Sequence, residues 1–155
     1  MPKLTQVKET KRGRYALFFD GEFAFSLDED TFAMAGLHTG DELEEWQIHD
    51  LQTKSDTRKA VDKAMDLLAL RDHAAGELYQ KLCRSFDPHS AAAAVAKMQE
   101  LNLLDDAGFA RRRAAELLRK RKSRRAILDD LHAKGIDRGA AAEAVEALFA
   151  QTEED

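Results

Sequence analysis

Ile127-Leu128-Asp129-Asp130-Leu131-His132-Ala133-Lys134-Gly135-Ile136-Asp137 carries an apolar stripe into a glycine stop, and a second apolar series follows. Ile127, Leu128 and Leu131 share one face of a helix, because residues three and four apart are neighbours there. Gly135 suits the left-handed residue just after a helix. Ala141, Ala144, Val145, Leu148 and Phe149 then repeat the helical spacing. The same arrangement stands 49 or 50 residues earlier, where Leu78, Leu82, Asp87, Val95 and Met98 match Ile127, Leu131, Asp137, Val145 and Leu148. Asp66-Leu67-Leu68 matches Glu116-Leu117-Leu118 at the same shift. A repeat of this length is one supersecondary unit that buries its apolar face by stacking on a neighbour.

Working outward, Val61, Ala64, Met65, Leu68 and Ala69 open the first copy, and Pro88 begins its third helix. A helix from Asp106 to about Arg121 opens the second copy. The expected fold is mainly α: two tandem three-helix repeats, residues 58–104 and 105–152, behind a small α+β domain at 1–57. Gln151–Asp155 reads as a frayed acidic tail. Stacked helical repeats present extended, groove-like surfaces and seldom carry catalytic sites.

Residues 1–57 differ in character. They hold seven of the eleven aromatics and four of the 26 alanines, and aromatics favour strands whereas alanine favours helix. Asp20-Gly21 lies between Tyr15–Phe19 and Glu22–Leu27, and Asp-Gly tolerates the positive φ angles of a type I′ hairpin turn. A two-residue loop pairs Phe18 with Phe23 and Ala16 with Phe25. Leu4–Thr10 completes a three-stranded meander through a turn at Lys11-Arg12-Gly13. Asp28 caps a short helix through Ala35, which Gly36 or Gly40 ends. Asp41–Leu51 begins another helix, and Gln52–Thr57 reads as a polar connection to the repeats.

The net charge is -5, but it is unevenly placed. Tyr15 to Thr53 contains no Lys or Arg, whereas Arg111 to Arg125 holds nine against the single acid Glu116. At 100° per residue, Ala110, Ala114, Leu117 and Leu118 fall on one arc. Arg111, Arg112, Arg113, Arg119, Lys120 and Lys122 fall on the rest, with Arg124 and Arg125 just beyond. Like charges this dense repel. Such a face suits nucleic-acid phosphates or an acidic groove on a protein, though a merely solvated face is the bland alternative.

Other chemistry finds no constellation. Asp105 and Asp106 are adjacent and read as a helix cap rather than an acid–base pair. His38, His49, His73, His89 and His132 lack metal-ligand spacing, Cys83 has no His or Cys beside it, and there is no glycine-rich phosphate loop. No catalytic residue, metal or cofactor is expected. No apolar run approaches the roughly 18 residues of a membrane span. The start lacks a signal peptide, and one cysteine gives no intramolecular disulfide, so a cytoplasmic setting is expected.

Three motifs then stand in order. Arg71-Asp72-His73-Ala74-Ala75-Gly76-Glu77-Leu78-Tyr79-Gln80-Lys81-Leu82 resembles the first-repeat motif of the RecX family, Arg-x-x-Ser-x-x-Glu-Leu-x-x-Lys-Leu. Leu103-Leu104-Asp105-Asp106 with Phe109-Ala110 resembles its Leu-Asp-Asp-x-x-Phe-Ala. Leu131–Ile136 resembles its Leu-x-x-Lys-Gly-Ile. The resemblance covers roughly residues 58–152, and Asp20–Phe25 and Leu37–Leu43 are similar to the N-terminal region of some members. It implies a regulatory protein that binds the RecA recombinase filament and restrains its ATPase, recombination and SOS-related activities. The basic helix would then lie against the filament or its single- or double-stranded DNA. Family members have three such repeats, and this chain shows two. Ala74 replaces the motif's cap Ser, so that helix start should be weaker by about 1 kcal/mol, with Glu77 in the place of a capping-box Glu.

Two other readings compete. Ser123–Lys134 followed by Asp137–Phe149 has the outline of a DNA-reading helix-turn-helix. Its recognition helix would need Arg, Asn, Gln or Lys at base edges, yet Asp137–Glu146 offers only Arg138 and two further acids. A noncatalytic helical scaffold is the third reading.

Overall fold

The computed structural model describes residues 1–154, with side chains through Thr152. Three strands, β1 (Leu4–Glu9), β2 (Tyr15–Phe19) and β3 (Glu22–Leu27), form an antiparallel sheet in the order β1-β2-β3. Among the described residues seven helices follow: α1 (Glu29–Ala35), α2 (Glu45–Leu70), α3 (Ala75–Leu82), α4 (Pro88–Glu100), α5 (Asp106–Arg119), α6 (Arg124–Ala133) and α7 (Arg138–Glu154). The protein is mainly helical behind a small three-stranded sheet. The chain divides into two compact units, Met1–Ala60 and Val61–Asp155.

In the first unit the turn residues Asp20 and Gly21 both have positive φ, as a type I′ turn requires. Phe18 pairs with Phe23 as expected, but Ala16 does not pair with Phe25. A bulge shifts the register so that Leu17 faces Phe25 and Ala16 faces Ser26. The shift lets Leu17 and Phe25 share the core with Leu4, Phe19, Leu27, Leu43 and Leu51. Asp28 caps α1 by accepting from the Thr31 amide at 3.1 Å, and left-handed Gly36 ends it.

The polar connection expected at Gln52–Thr57 is not a linker. It lies inside α2, so the expected boundary at residue 57 falls within a continuous helix. Ser55 is fully buried there, and its hydroxyl exchanges hydrogen bonds with the sheet: it accepts from Arg14 at 3.0 Å and donates to the Ser26 carbonyl. A buried hydroxyl with both bonds made costs little, so polarity at this position does not signal a loop. The stripe expected at the start of the repeats is also corrected in part. Ala60 and Ala64 are buried, whereas Met65 is 44% exposed.

In the second unit, α3 packs on α4, and α5, α6 and α7 pack on one another. Leu78, Leu82, Val95 and Met98 are buried, as are Ile127, Leu131 and Val145, while Leu148 packs partly buried against the same core. Asp87 caps α4 through the Ser90 amide, and Asp137 caps the start of α7 through the amides of Gly139 and Ala140. The two copies therefore use matching residues for matching local tasks. α7 continues through Gln151 and Thr152 to Glu154, so that part of the expected tail is helical. Asp155 lies outside the described residues.

Candidate functional site

The α5 stripe faces inward as its spacing requires: Ala110 and Ala114 are fully buried and Leu117 is nearly so. The basic residues on the remaining surface separate into two groups. Arg113 is only 27% exposed and holds Asp130 of α6 with two bonds, Nε–Oδ1 at 2.9 Å and Nη2–Oδ2 at 3.0 Å. That bidentate pairing holds the Asp130 carboxyl below the usual carboxylate range. Arg113 thus ties α5 to α6. Arg112 meets Asp72 at 3.2 Å, Lys120 meets Glu116 at 3.4 Å, and Arg124 lies 4.8 Å from the centre of the Phe149 ring.

Arg111, Arg119, Arg121, Lys122 and Arg125 are exposed. Among the described residues none of the five has an ion pair. Four of them cluster at the end of α5, in the turn through left-handed Arg121, and at the start of α6.

An open cleft of about 720 Å³ runs beside this face. Its lining includes Arg71, Asp72, Arg112, Glu116, Arg119 and Lys134. A smaller cleft of about 460 Å³ shares Arg71 and Lys134 and adds Lys81 and Arg84 of the first copy. Glu77, 7% exposed, lines the smaller cleft. Burial alone would raise its pKa, but Arg71 (2.7 and 3.2 Å) and Lys134 (3.1 Å) overcome that and hold it at about 2. His73, also buried, sits between the Arg71 carbonyl at 2.9 Å and the Lys81 ammonium at 2.8 Å. With Lys81 donating to Nε2, Nδ1 carries the proton and donates to the carbonyl. Burial, opposed by the Arg71 carbonyl, lowers the pKa of this imidazole.

The family description "RecX, second three-helix domain" matches residues 105–145. Regulatory protein RecX of Caldanaerobacter subterraneus subsp. tengcongensis is 27% identical over 149 residues, which is 96% of this chain and 76% of that one. Those of Lactobacillus johnsonii and Lactobacillus delbrueckii subsp. bulgaricus are 34% and 36% identical over 88% of this chain. The chain belongs to the RecX family. A crystal structure of regulatory protein RecX shares its fold, with a TM-score of 0.67 and 24% identity over 96% of this chain and 74% of that one. The chain spans 51% and 52% of the two Lactobacillus relatives.

Residues of the three motifs meet where the start of α3 approaches the start of α5 and the end of α6. Glu77 does not close a capping box on its own helix; it is the carboxylate that Arg71 and Lys134 share. Ala74 leaves α3 without a side-chain cap, but the Ala75 amide donates to Asp106 Oδ1 at the start of α5, at 2.8 Å. Asp105 caps α5 through the Gly108 amide at 3.0 Å. Ala74 itself is fully buried in the core formed by α5, α6 and α7. In this RecX-family chain, Arg71, Lys81, Arg84 and Lys134 join the basic surface without belonging to the dense basic run. Three of them, Arg71, Lys81 and Lys134, stood inside the motifs, where local roles concealed them. Among the described residues no helix is long and apolar enough to cross a membrane.

Proposed function

We propose that this chain is a noncatalytic regulator that binds the RecA recombinase filament. It lies along the filament groove and blocks entry of a second DNA. It strains subunit contacts there, lowering ATP turnover, strand exchange and the SOS-related signal. It works in the cytoplasm by contact alone and uses no cofactor. One observation carries the reading: in a RecX-family chain, five exposed cations, Arg111, Arg119, Arg121, Lys122 and Arg125, stand without ion pairs among the described residues. Uncompensated like charges cost stability locally, and an acidic or phosphate-bearing partner would relieve that cost. Arg112, Lys120 and Arg124 flank these five and add to the contact, while Arg113 supports it from within.

The test is a pull-down of the recombinase with and without single-stranded DNA and ATP, followed by an ATPase assay. The parent protein is expected to bind the assembled filament and slow ATP turnover, less so as salt rises. Replacing Arg119, Arg121, Lys122 and Arg125 with Ala should weaken both effects and leave the fold intact. A folded variant that inhibits as well as the parent would overturn the role of the basic face. Retention on duplex DNA without any binding to the filament would favour the DNA-regulator reading.

A further inference from the structure

The two clefts that meet at Arg71 and Lys134 differ in chemistry from the turn at Arg119–Arg125. The turn carries no acid and reaches the larger cleft through Arg119, whereas the clefts mix signs: Arg71, Lys81, Arg84, Arg112 and Lys134 line them together with Asp72, Glu77, Glu116 and Asp130. Phe109, Ala115 and Ala133 give apolar stretches of wall. The cations crowd one another. Lys81 is held below its ordinary pKa by burial, then by the charges of Arg71, Lys134 and Arg84, with Glu77 acting the other way. Arg84 is exposed, and none of its side-chain atoms meets an acid among the described residues.

We infer that this joint is a second contact surface, reaching onto the first three-helix unit through Lys81 and Arg84, and that it receives a carboxylate-bearing segment of a protein partner. The inference rests on the reading of the chain as a protein-binding regulator. A protein segment fits better than a nucleic-acid backbone for two reasons. Phosphodiesters present negative charge without interruption, and Asp72, Glu116 and Asp130 would repel it. A peptide carries discrete carboxylates that reach the cations, while its own cations and apolar side chains meet those three acids and the apolar wall. The joint already holds carboxylates this way, since Glu77 between Arg71 and Lys134 is an acid gripped by two cations. Lys81 has a second arrangement open to it. It now donates to His73 Nε2 at 2.8 Å, and an incoming carboxylate would offer it a charged acceptor instead.

The test uses the full chain and a fluorescein-labelled peptide of repeating Glu-Glu-Leu, with Gln-Gln-Leu as the neutral control, read by fluorescence anisotropy at low salt. The parent should bind the acidic peptide and not the neutral one. Lys81→Gln/Arg84→Ala should weaken that binding about ten-fold. Lys63→Ala/Arg138→Ala removes the same charge outside the clefts and should change it by less than about two-fold. Arg84→Glu alone, at an exposed position, keeps the test valid if the double variant is poorly folded, and it should weaken binding at least as much. Equal loss in the cleft and control variants would reduce the effect to net charge and overturn the inference. So would a duplex DNA competitor whose own binding falls ten-fold with Lys81→Gln/Arg84→Ala, which would mark a nucleic-acid surface. If the peptide arm holds and the parent fails to bind the recombinase filament, the proposed partner falls and the carboxylate surface stands. If filament binding holds and the peptide arm fails, this inference falls alone.

Discussion

Gly76, in the first turn of α3, and Gly135, just after α6, meet backbone to backbone. A methyl group on Gly76 would stand 2.8 Å from the Gly135 Cα and 2.9 Å from its carbonyl oxygen. A methyl on Gly135 would stand 2.7 Å from the Gly76 Cα. Neither neighbour is a side chain that could swing aside. Gly76→Ala should therefore destabilise the protein by about 2–3 kcal/mol despite alanine's better helix propensity. Gly135→Ala should cost at least as much, because its φ of +85° adds backbone strain. Urea titration checks both; a gain in stability for Gly76→Ala would mean that the two backbones do not touch there.

Glu77 sets a pH dependence. Its carboxyl, ordinarily near 4.5, is held at about 2 in the folded protein by Arg71 and Lys134. A group depressed in this way stabilises the fold above its unfolded pKa and loses that contribution as pH falls toward the folded value. The stabilisation is thus present in full above about pH 5 and fades between about 4.5 and 2. Glu77→Gln should cost about 2–3 kcal/mol at neutral pH. The gap between parent and variant should close as the pH is lowered through that window. A gap that stays constant with pH would mean the ion pairs contribute nothing.

Asp106 stands in for the missing cap. Asp106→Ala should cost about 1–2 kcal/mol, because the Ala75 amide loses its acceptor. Restoring the motif residue with Ala74→Ser should bring little of the expected gain, since residue 74 is fully buried and the hydroxyl would enter an apolar core. Thermal melts of the two variants decide it; a clear rise in Tm for Ala74→Ser would count against this account.

Arg113 and Arg111 look alike in the sequence and should behave oppositely. Arg113→Ala leaves Asp130 without its bidentate partner at 27% exposure and should cost about 1–2 kcal/mol. Arg111→Ala, at an exposed and unpaired position, should stay within about 0.5 kcal/mol of the parent. Parallel denaturant titrations separate them, and equal stabilities would make the Arg113–Asp130 pair a surface contact of no consequence.

Local and periodic features were legible without the fold. The stripes of α3 to α7, the caps Asp28 and Asp105, the Asp20-Gly21 turn and the basic run at Arg111–Arg125 each depend on neighbours within one or two turns of chain. The 49- or 50-residue spacing revealed the repeat, because both copies solve the same packing problem with like residues in like places. The charge of the candidate site could be read from composition, since a helix with one apolar arc must expose the rest.

What only the tertiary structure decided is which of those residues are already engaged. Glu77 meets Lys134 across 57 residues, Ala75 meets Asp106 across 31, and Arg113 meets Asp130 across 17. No local periodicity encodes such pairings, so a capping-box Glu became a buried ion-pair centre and a solvent-facing Arg became a strut. Ser55 repeats the lesson in the first unit. Its polarity read as a linker, yet Arg14, 41 residues away, makes it a buried helical residue. A side chain's type sets which bonds it could make, but burial and the distant partner that the fold supplies determine which bonds it does make.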